Sequence, residues 1–171
     1  MMDPTIHVLI AVGLAVLFGA GAVHKVRAPA IFVATLGDYR VLPPRLLTVA
    51  AVLVIALELA LAIGLLWPAT RAVSGVVGAS LLLVYAAAIA INLRRGRRDL
   101  DCGCTLQRRP IGAWMVTRNS VLATAALMLV IPISNRTIQS ADAATIVAAL
   151  CVIMLLYAAT DLLLGRTGAR G

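Results

Sequence analysis

Long apolar stretches separated by short polar connections make up most of the chain. Five stretches are long enough to cross a bilayer as helices, with predicted limits 5–26, 46–66, 71–93, 113–132 and 143–164. A helix needs about 20 apolar residues to span roughly 30 Å of hydrocarbon. The strict alternation of apolar and polar positions that is typical of membrane barrels is missing. The pattern predicts an all-α integral membrane protein, a single transmembrane domain (1–171) forming a bundle of about five helices.

Small residues recur every four positions on the first two predicted helices. These positions are Ala11, Ala15, Gly19, Ala56, Ala60 and Gly64. Small side chains at this spacing let helices approach closely within a membrane, so both faces are expected to form helix contacts. The shorter apolar segment 30–36 cannot span and is expected at the membrane interface.

Composition favours the lipid bilayer as the main partner of this chain. Hydrophobic residues make up 62% and charged residues 13%, and the mean hydropathy is +1.02. The net charge of +8 would suit nucleic acid, but aromatic residues are only 4% and the basic residues lie between the apolar runs. A membrane-surface role for the charge is therefore favoured, and no nucleic-acid partner is expected.

The distribution of basic residues predicts an orientation. If the N-terminus lies outside, thirteen of the fifteen lysines and arginines fall on the inner side, and only Arg71 and Arg136 lie outside. Cytoplasmic loops carry the excess of Lys and Arg. We expect a multi-pass protein of the bacterial inner membrane, with the polar loop 94–110 in the cytoplasm.

That loop contains a pair of cysteines, Cys102-Gly103-Cys104, and such a pair indicates redox or metal chemistry. Basic residues lie just upstream, at Arg94, Arg95, Arg97 and Arg98. Their charge favours the thiolate, the form that attacks disulfides. Glycine between the cysteines allows the sharp bend that a disulfide would need, so the pair is a candidate exchanging dithiol.

Two other interpretations of the pair stay open. It binds a soft metal such as Cu(I) or Zn, although no nearby histidine completes a ligand set, so no metal site is assigned. Alternatively, both cysteines are incidental to a membrane scaffold. In each case Asn92, Arg118 and Asn119, near the inner face, are candidates for holding the loop.

Glu58 stands near the middle of the second predicted helix. An ionisable residue there is a functional candidate by default, for proton handling or quinone contact, and the alternative is a buried structural hydrogen-bonder. By rise per residue, Cys151 lies at similar depth and Tyr85 and Tyr157 lie closer to the inner face. These four side chains are expected to line one internal cavity, although Cys151 alone is more typical of packing. In contrast, His7, His24 and Lys25 are expected at the interface, where long side chains snorkel.

The segment 91–97 (INLRRGR), followed by Cys102-Gly103-Cys104, resembles the signature of the methylamine utilisation protein MauE family, part of the wider DoxX-like group. Lys25, the segment 39–43 (YRVLP), Glu58 and the pair Arg118-Asn119 extend this resemblance along nearly the whole chain. After the cysteine pair, the chain departs from the family pattern at 105–106.

The resemblance implies a membrane accessory protein for the maturation of methylamine dehydrogenase. Such a protein would act with a thioredoxin-like partner on disulfides of the client enzyme, with Cys102 and Cys104 as the exchanging pair. By analogy with other membrane thiol oxidoreductases, a quinone is a possible cofactor. Disulfide formation in an exported enzyme suits the outer side, whereas the charge distribution places the pair inside. Whether the chain itself is an oxidoreductase or a non-catalytic assembly protein stays open.

Overall fold

The computed structural model describes residues 1–97, 111–134, 136–137 and 139–167, with side chains as far as residue 156 and at 159. These residues form six helices: α1 (Pro4–Arg27), α2 (Pro29–Asp38), α3 (Leu47–Leu66), α4 (Arg71–Arg94), α5 (Ala113–Leu127) and α6 (Ser140–Thr167). Short 3₁₀ turns lie before α3, at Pro44–Leu46, and after α5, at Met128–Val130. Within these ranges, extended pairing is limited to one bridge between Met2 and Ile133.

Two prolines and one break in the helical backbone determine where the first two helices begin and end. Pro4 and Pro29 each stand at a helix start, where the missing N–H has no partner to lose. The Asp3 side chain caps α1 by accepting a hydrogen bond from the Thr5 N–H, at 2.8 Å. At Ala28 the backbone leaves the helical region (φ −139°, ψ 61°), so α2 turns away from α1. The segment expected at the interface is thus a ten-residue helix.

Among the described residues, four helical segments are long and apolar enough to cross a membrane: Pro4–Arg27, Pro44–Leu66, Arg71–Arg94 and Ala113–Val130. They match the first four predicted spans. The fifth predicted span falls within α6, whose 28 residues would extend about 42 Å. The prediction of an all-α membrane protein with about five membrane helices is confirmed.

The bundle is built from two closely packed helix pairs, α1 with α3 and α4 with α5. α2 lies against α3, and α6 lies against α1. The core includes Phe18, Leu61, Leu82 and Leu129. Gly78 on α4 makes room for Phe18, because a Cβ at this position would lie 3.1 Å from the Phe18 ring. The core therefore joins both pairs at the centre of the bundle.

The small-residue prediction holds for α1 but is wrong at Ala56 and Ala60 of α3, although Gly64 lies close to α4, where a Cβ would meet the Ser74 side chain. Ala11 and Ala15 are buried in the core, whereas Ala56 and Ala60 are exposed. The buried positions of α3 are Ala51, Glu58, Leu61 and Leu65. Turning Ala56 and Ala60 inward would rotate the Glu58 carboxylate towards lipid, and the energetic penalty of that charge outweighs the gain from close backbone packing.

Candidate functional site

A buried ion pair joins α1 to α3. The Lys25 Nζ atom lies 2.7 Å from Oε1 and 2.8 Å from Oε2 of Glu58. The two side chains are only 5% and 3% exposed. One ammonium group therefore serves both carboxylate oxygens and neutralises a charge that would be unfavourable alone in this interior. The expectation that Lys25 snorkels to the interface is wrong, because its ammonium points into the bundle.

Tyr85 on α4 completes this arrangement. Its hydroxyl donates a hydrogen bond to Glu58 Oε1 at 2.7 Å, although rise per residue had placed Tyr85 closer to the inner face than Glu58. The Lys25 ammonium also lies 5.3 Å from the centre of the Phe32 ring and 5.8 Å from the centre of the Tyr85 ring. Both distances are within the range of cation–π attraction. We call Lys25, Glu58 and Tyr85 the buried cluster, and Phe32 of α2 covers it.

The local backbone explains why this cluster can form. Gly21 lies one helical turn before Lys25, and a Cβ there would lie 3.4 Å from both the Lys25 ammonium and a Glu58 oxygen. Glycine thus leaves room for the two charged groups. Lys25 is two residues from the end of α1, whereas α3 begins eleven residues before Glu58. Towards its own start, α3 therefore extends about 16 Å past the cluster, and α2 packs against α3.

A second polar region lies two helical turns further along α4, at the start of the cysteine loop. Gly96 adopts a φ of +73°, which glycine tolerates best. Its N–H donates to the Leu93 carbonyl at 3.0 Å, and the Arg97 N–H donates to the Asn92 carbonyl at 3.1 Å. These two hydrogen bonds form a Schellman motif. The motif fixes the direction in which the chain enters the loop.

Asn92 links this helix end to the end of α2. The side chain is fully buried and donates from Nδ2 to the Tyr39 carbonyl at 3.1 Å and to the Ala88 carbonyl at 3.0 Å. A buried amide that reaches a carbonyl 53 residues away pins two segments together. Asn92 therefore ties the last turn of α4 to the end of α2, and its expected role in holding the loop stays a prediction.

Two arginines of the same segment also bind the end of α2. Arg97 Nη1 donates to the Asp38 carbonyl at 2.6 Å, and Arg95 Nη1 donates to the Arg40 carbonyl at 3.4 Å. The last carbonyls of a helix lack partners within it and carry partial negative charge, so cations are favourable there. We call residues 38–40 the α2 corner. Part of the arginine cluster is therefore engaged in holding this corner.

The far end of the cysteine loop reaches the same corner. Ile111, the first residue described after the loop, is buried and packs with Tyr39 and Ile89. The Tyr39 carbonyl thus accepts a hydrogen bond from Asn92 in the last turn of α4, and Tyr39 belongs to the same core cluster as Ile111. The described segments on both sides of residues 98–110 therefore contact the α2 corner.

Other predicted site residues are distributed more widely. Cys102, Cys104 and Arg98 lie outside the described residues. Arg94 is exposed in the last turn of α4. The part of the chain that the structure describes contains no group of three or more His, Cys, Asp or Glu side chains suited to a metal ion.

The remaining candidates lie on α5 and α6. Asn119 is buried and Arg118 is half-buried on α5, which packs along α4. Cys151 is exposed on α6, so the expectation that it shares an internal cavity with Glu58 is wrong. Among the described residues, α6 packs mainly against α1. Cys151 lies on the side of α6 that faces away from the bundle. Tyr157 belongs to α6, but its side chain lies outside the description.

The opposite end of the bundle holds a different buried polar group. Arg71 donates to the carbonyls of Leu65 at 3.0 Å and Leu66 at 3.4 Å, and its Nη1 lies 3.3 Å from His7 Nδ1. Since a guanidinium only donates, Nδ1 accepts, and the His7 proton resides on Nε2, which donates to the Leu129 carbonyl at 3.2 Å. His7 is therefore buried in the protein, and its expected interfacial position is wrong.

Sequence reasoning missed the roles of Lys25, Phe32 and Tyr39. A signal for Lys25 did exist, because a mid-helix carboxylate needs a partner and Lys25 is one of the basic residues in the last turn of α1. Measuring depth from the helix ends hid this pairing, since it assumed that the end of α1 and the start of α3 lie at the same level. Nothing in the apolar pattern indicated that Tyr39 contacts both Asn92 and Ile111.

The fold and these contacts define a small all-α membrane protein whose polar loop is anchored at one end of the bundle, near a buried ion pair. Residues 3–132 match the family model described as methylamine utilisation protein MauE. The chain is 35% identical to the MauE protein of Methylophilus methylotrophus, covering 95% of this chain and 88% of that protein. It is 34% identical to the MauE protein of Paracoccus denitrificans, covering 99% and 93%. The chain belongs to the MauE family, and no solved structure matches it.

Proposed function

We propose that this protein is a thiol–disulfide exchange accessory of the membrane, which supports the maturation of a partner enzyme such as methylamine dehydrogenase. Cys102 and Cys104 would be the exchanging pair. The observation that carries the proposal is that both ends of the cysteine loop are anchored on the α2 corner, through Asn92, Arg97 and Ile111. An anchored base presents a dithiol to a partner at one edge of the bundle.

Family membership and chemistry support the proposal. The relatives are named for methylamine utilisation, and the family model spans the helices that form the loop base. Arg94 is exposed beside the loop, and Arg98 follows within it in sequence. Positive charge close to a cysteine favours the thiolate, so these arginines would promote attack on a disulfide.

The exchange balances without a further reactant. In one direction, the Cys102 thiolate attacks a disulfide of a thioredoxin-like partner, forms a mixed disulfide and releases one partner thiolate. Cys104 then attacks Cys102, which releases the second partner thiolate. The pair ends oxidised, the partner ends reduced, and the two protons of the dithiol pass to the partner's thiols. The reverse sequence transfers the disulfide to the partner.

Trapping of the mixed disulfide tests this proposal. In cells that contain the thioredoxin-like partner, we expect Cys104→Ser to accumulate a covalent complex that reductant releases, because no second thiol resolves it. Cys102→Ser should abolish the complex. Cys151→Ser is the matched control, since Cys151 is exposed on α6 and should not affect trapping. If the double Cys102→Ser/Cys104→Ser variant supports enzyme maturation as well as the parent, a non-catalytic scaffold is the better description.

We also propose that the loop faces the cytoplasm of a bacterial cell, on the basis of the charge distribution. A membrane-impermeant maleimide should label the loop cysteines only after permeabilisation, in a Cys151→Ser background. Labelling of intact cells would reverse the orientation and place the exchange on the outer side.

A further inference from the structure

We propose that Lys25, Glu58 and Phe32 are positioning residues for the thiol pair, acting through α2. The buried cluster fixes one end of α2, and the other end of α2 forms the base of the cysteine loop. This inference rests on the proposed function, and it adds a role for the intramembrane ion pair that thiol exchange alone does not require.

The first step concerns the stability of α2. With ten residues, this helix is too short to persist without support. Its first turn has no side-chain cap, and Ala28 separates it from α1. Its position must therefore come from tertiary contacts. Phe32 and Thr35 are its buried side chains, and a Cβ on Gly37 would lie 3.3 Å from Leu47 at the start of α3.

The second step concerns the contact between α2 and the buried cluster. Phe32 is buried, and its ring lies over the Lys25 ammonium. The ammonium is held in place by two hydrogen bonds to Glu58, which Tyr85 also holds. Removing the charge at Lys25 would remove the cation–π attraction and leave a buried carboxylate to find another partner. Either change alters the surface on which Phe32 rests.

The third step connects α2 to the loop. The carbonyls of Asp38 and Tyr39 accept hydrogen bonds from Arg97 and Asn92, and the Tyr39 side chain packs with Ile111. A shift at the Phe32 end of so short a helix moves its other end, which contacts Arg97 before residues 98–110 and Ile111 after them. The contacts from Glu58 to the loop base are therefore continuous, which is the physical requirement for coupling.

The test measures the thiol–disulfide equilibrium of the pair in full-length protein, reconstituted in lipid nanodiscs in a Cys151→Ser background. Samples are equilibrated with glutathione redox buffers, and the disulfide fraction is quantified by mass after thiol labelling. We expect Lys25→Met to change the equilibrium constant by about 2- to 30-fold, the range of couplings carried through packed networks. Phe32→Leu keeps the ion pair and should produce a smaller shift in the same direction.

Arg71→Met is the matched control, because it removes a buried cation from the opposite end of the bundle. Its equilibrium constant should stay within about twofold of the parent, as expected for a distant independent site. Parent-like values for both Lys25→Met and Phe32→Leu would overturn the inference, and so would an equal shift in Arg71→Met. If Lys25→Met does not fold, Phe32→Leu decides alone. A parent protein whose cysteines never form a disulfide would instead refute the proposed function, and the inference with it.

Discussion

The two ends of the bundle each bury a cation, and they stabilise it differently. At one end, Lys25 is held by a carboxylate, with both Glu58 oxygens within 2.8 Å. At the other end, Arg71 is held by the carbonyls that end α3 and by the His7 imidazole. In the described part of the chain, no carboxylate forms an ion pair with Arg71.

This difference shows which charges belong to the fold and which couple two regions. Arg71 donates hydrogen bonds to the last carbonyls of α3, which have no partner within that helix. The first residue of α4 therefore caps the end of α3. Lys25 and Glu58 instead depend on each other, and the loss of either leaves the other charge buried. Lys25, unlike Arg71, lies against a short helix, α2, whose other end contacts residues on both sides of the cysteine loop.

Breaking the ion pair should have the largest effect on stability. Lys25→Met should lower the free energy of unfolding by about 3–5 kcal/mol, because it strands the Glu58 carboxylate in the interior. Denaturation in mixed micelles with an anionic detergent measures this difference. The double variant Lys25→Met/Glu58→Leu should recover most of the loss, since no charge then remains buried. A double variant as unstable as the single one would contradict the pairing.

Removing the other buried cation should have a smaller effect. Arg71→Met leaves the Leu65 carbonyl without its donor, and an unsatisfied buried polar group costs about 1–3 kcal/mol. Arg71→Lys retains the charge but loses the guanidinium group, which reaches two carbonyls and His7. Its free energy of unfolding should therefore lie between those of Arg71→Met and the parent in the same assay. If Arg71→Met is as destabilising as Lys25→Met, the two buried cations do not differ in how strongly they depend on their partners.

The smallest effect on stability is expected at the exposed ion pair of Asp3 with Arg136. Arg136 Nε lies 3.2 Å from Asp3 Oδ2, and the two side chains are 45% and 39% exposed. The pKa of Asp3 lies below its ordinary value of 3.8, mainly because the carboxylate accepts a hydrogen bond from the Thr5 backbone. Hydrogen bonds from the side chains of Thr5 and Arg136 lower this pKa further. A carboxyl with a lowered folded-state pKa contributes stability above the unfolded value, and this is lost as the pH falls through the folded value.

Thermal unfolding as a function of pH tests this contribution. The protein should lose stability as the pH falls below 3.8, and Asp3→Asn should remove a small part of this loss. At neutral pH, Asp3→Asn should lower the stability much less than Lys25→Met does, because exposed ion pairs are weak. An acid-side profile that is identical in Asp3→Asn and the parent would show that this carboxyl does not contribute.

Several features followed from the sequence because they depend on local chemistry. Apolar run length predicted the spans, and the isolated Glu58 was identified as a polar site in the interior. Tyr85 was expected to line the same interior region as Glu58, and a hydrogen bond joins the two side chains. Asn92 was singled out as a polar residue near the loop, and its side chain binds the Tyr39 carbonyl at the end of α2.

Other features depended on how helices of unequal reach pack together. The sequence by itself determined that this chain is a helical membrane protein of the MauE type, because hydrophobic length and the INLRRGR and Cys-Gly-Cys segments are local properties. Only the tertiary structure decided that Lys25 pairs with Glu58, that Cys151 faces outward, and that Tyr39 contacts both Asn92 and Ile111. Those relations depend on the level at which each helix starts and on its rotation, and many packed contacts set these together.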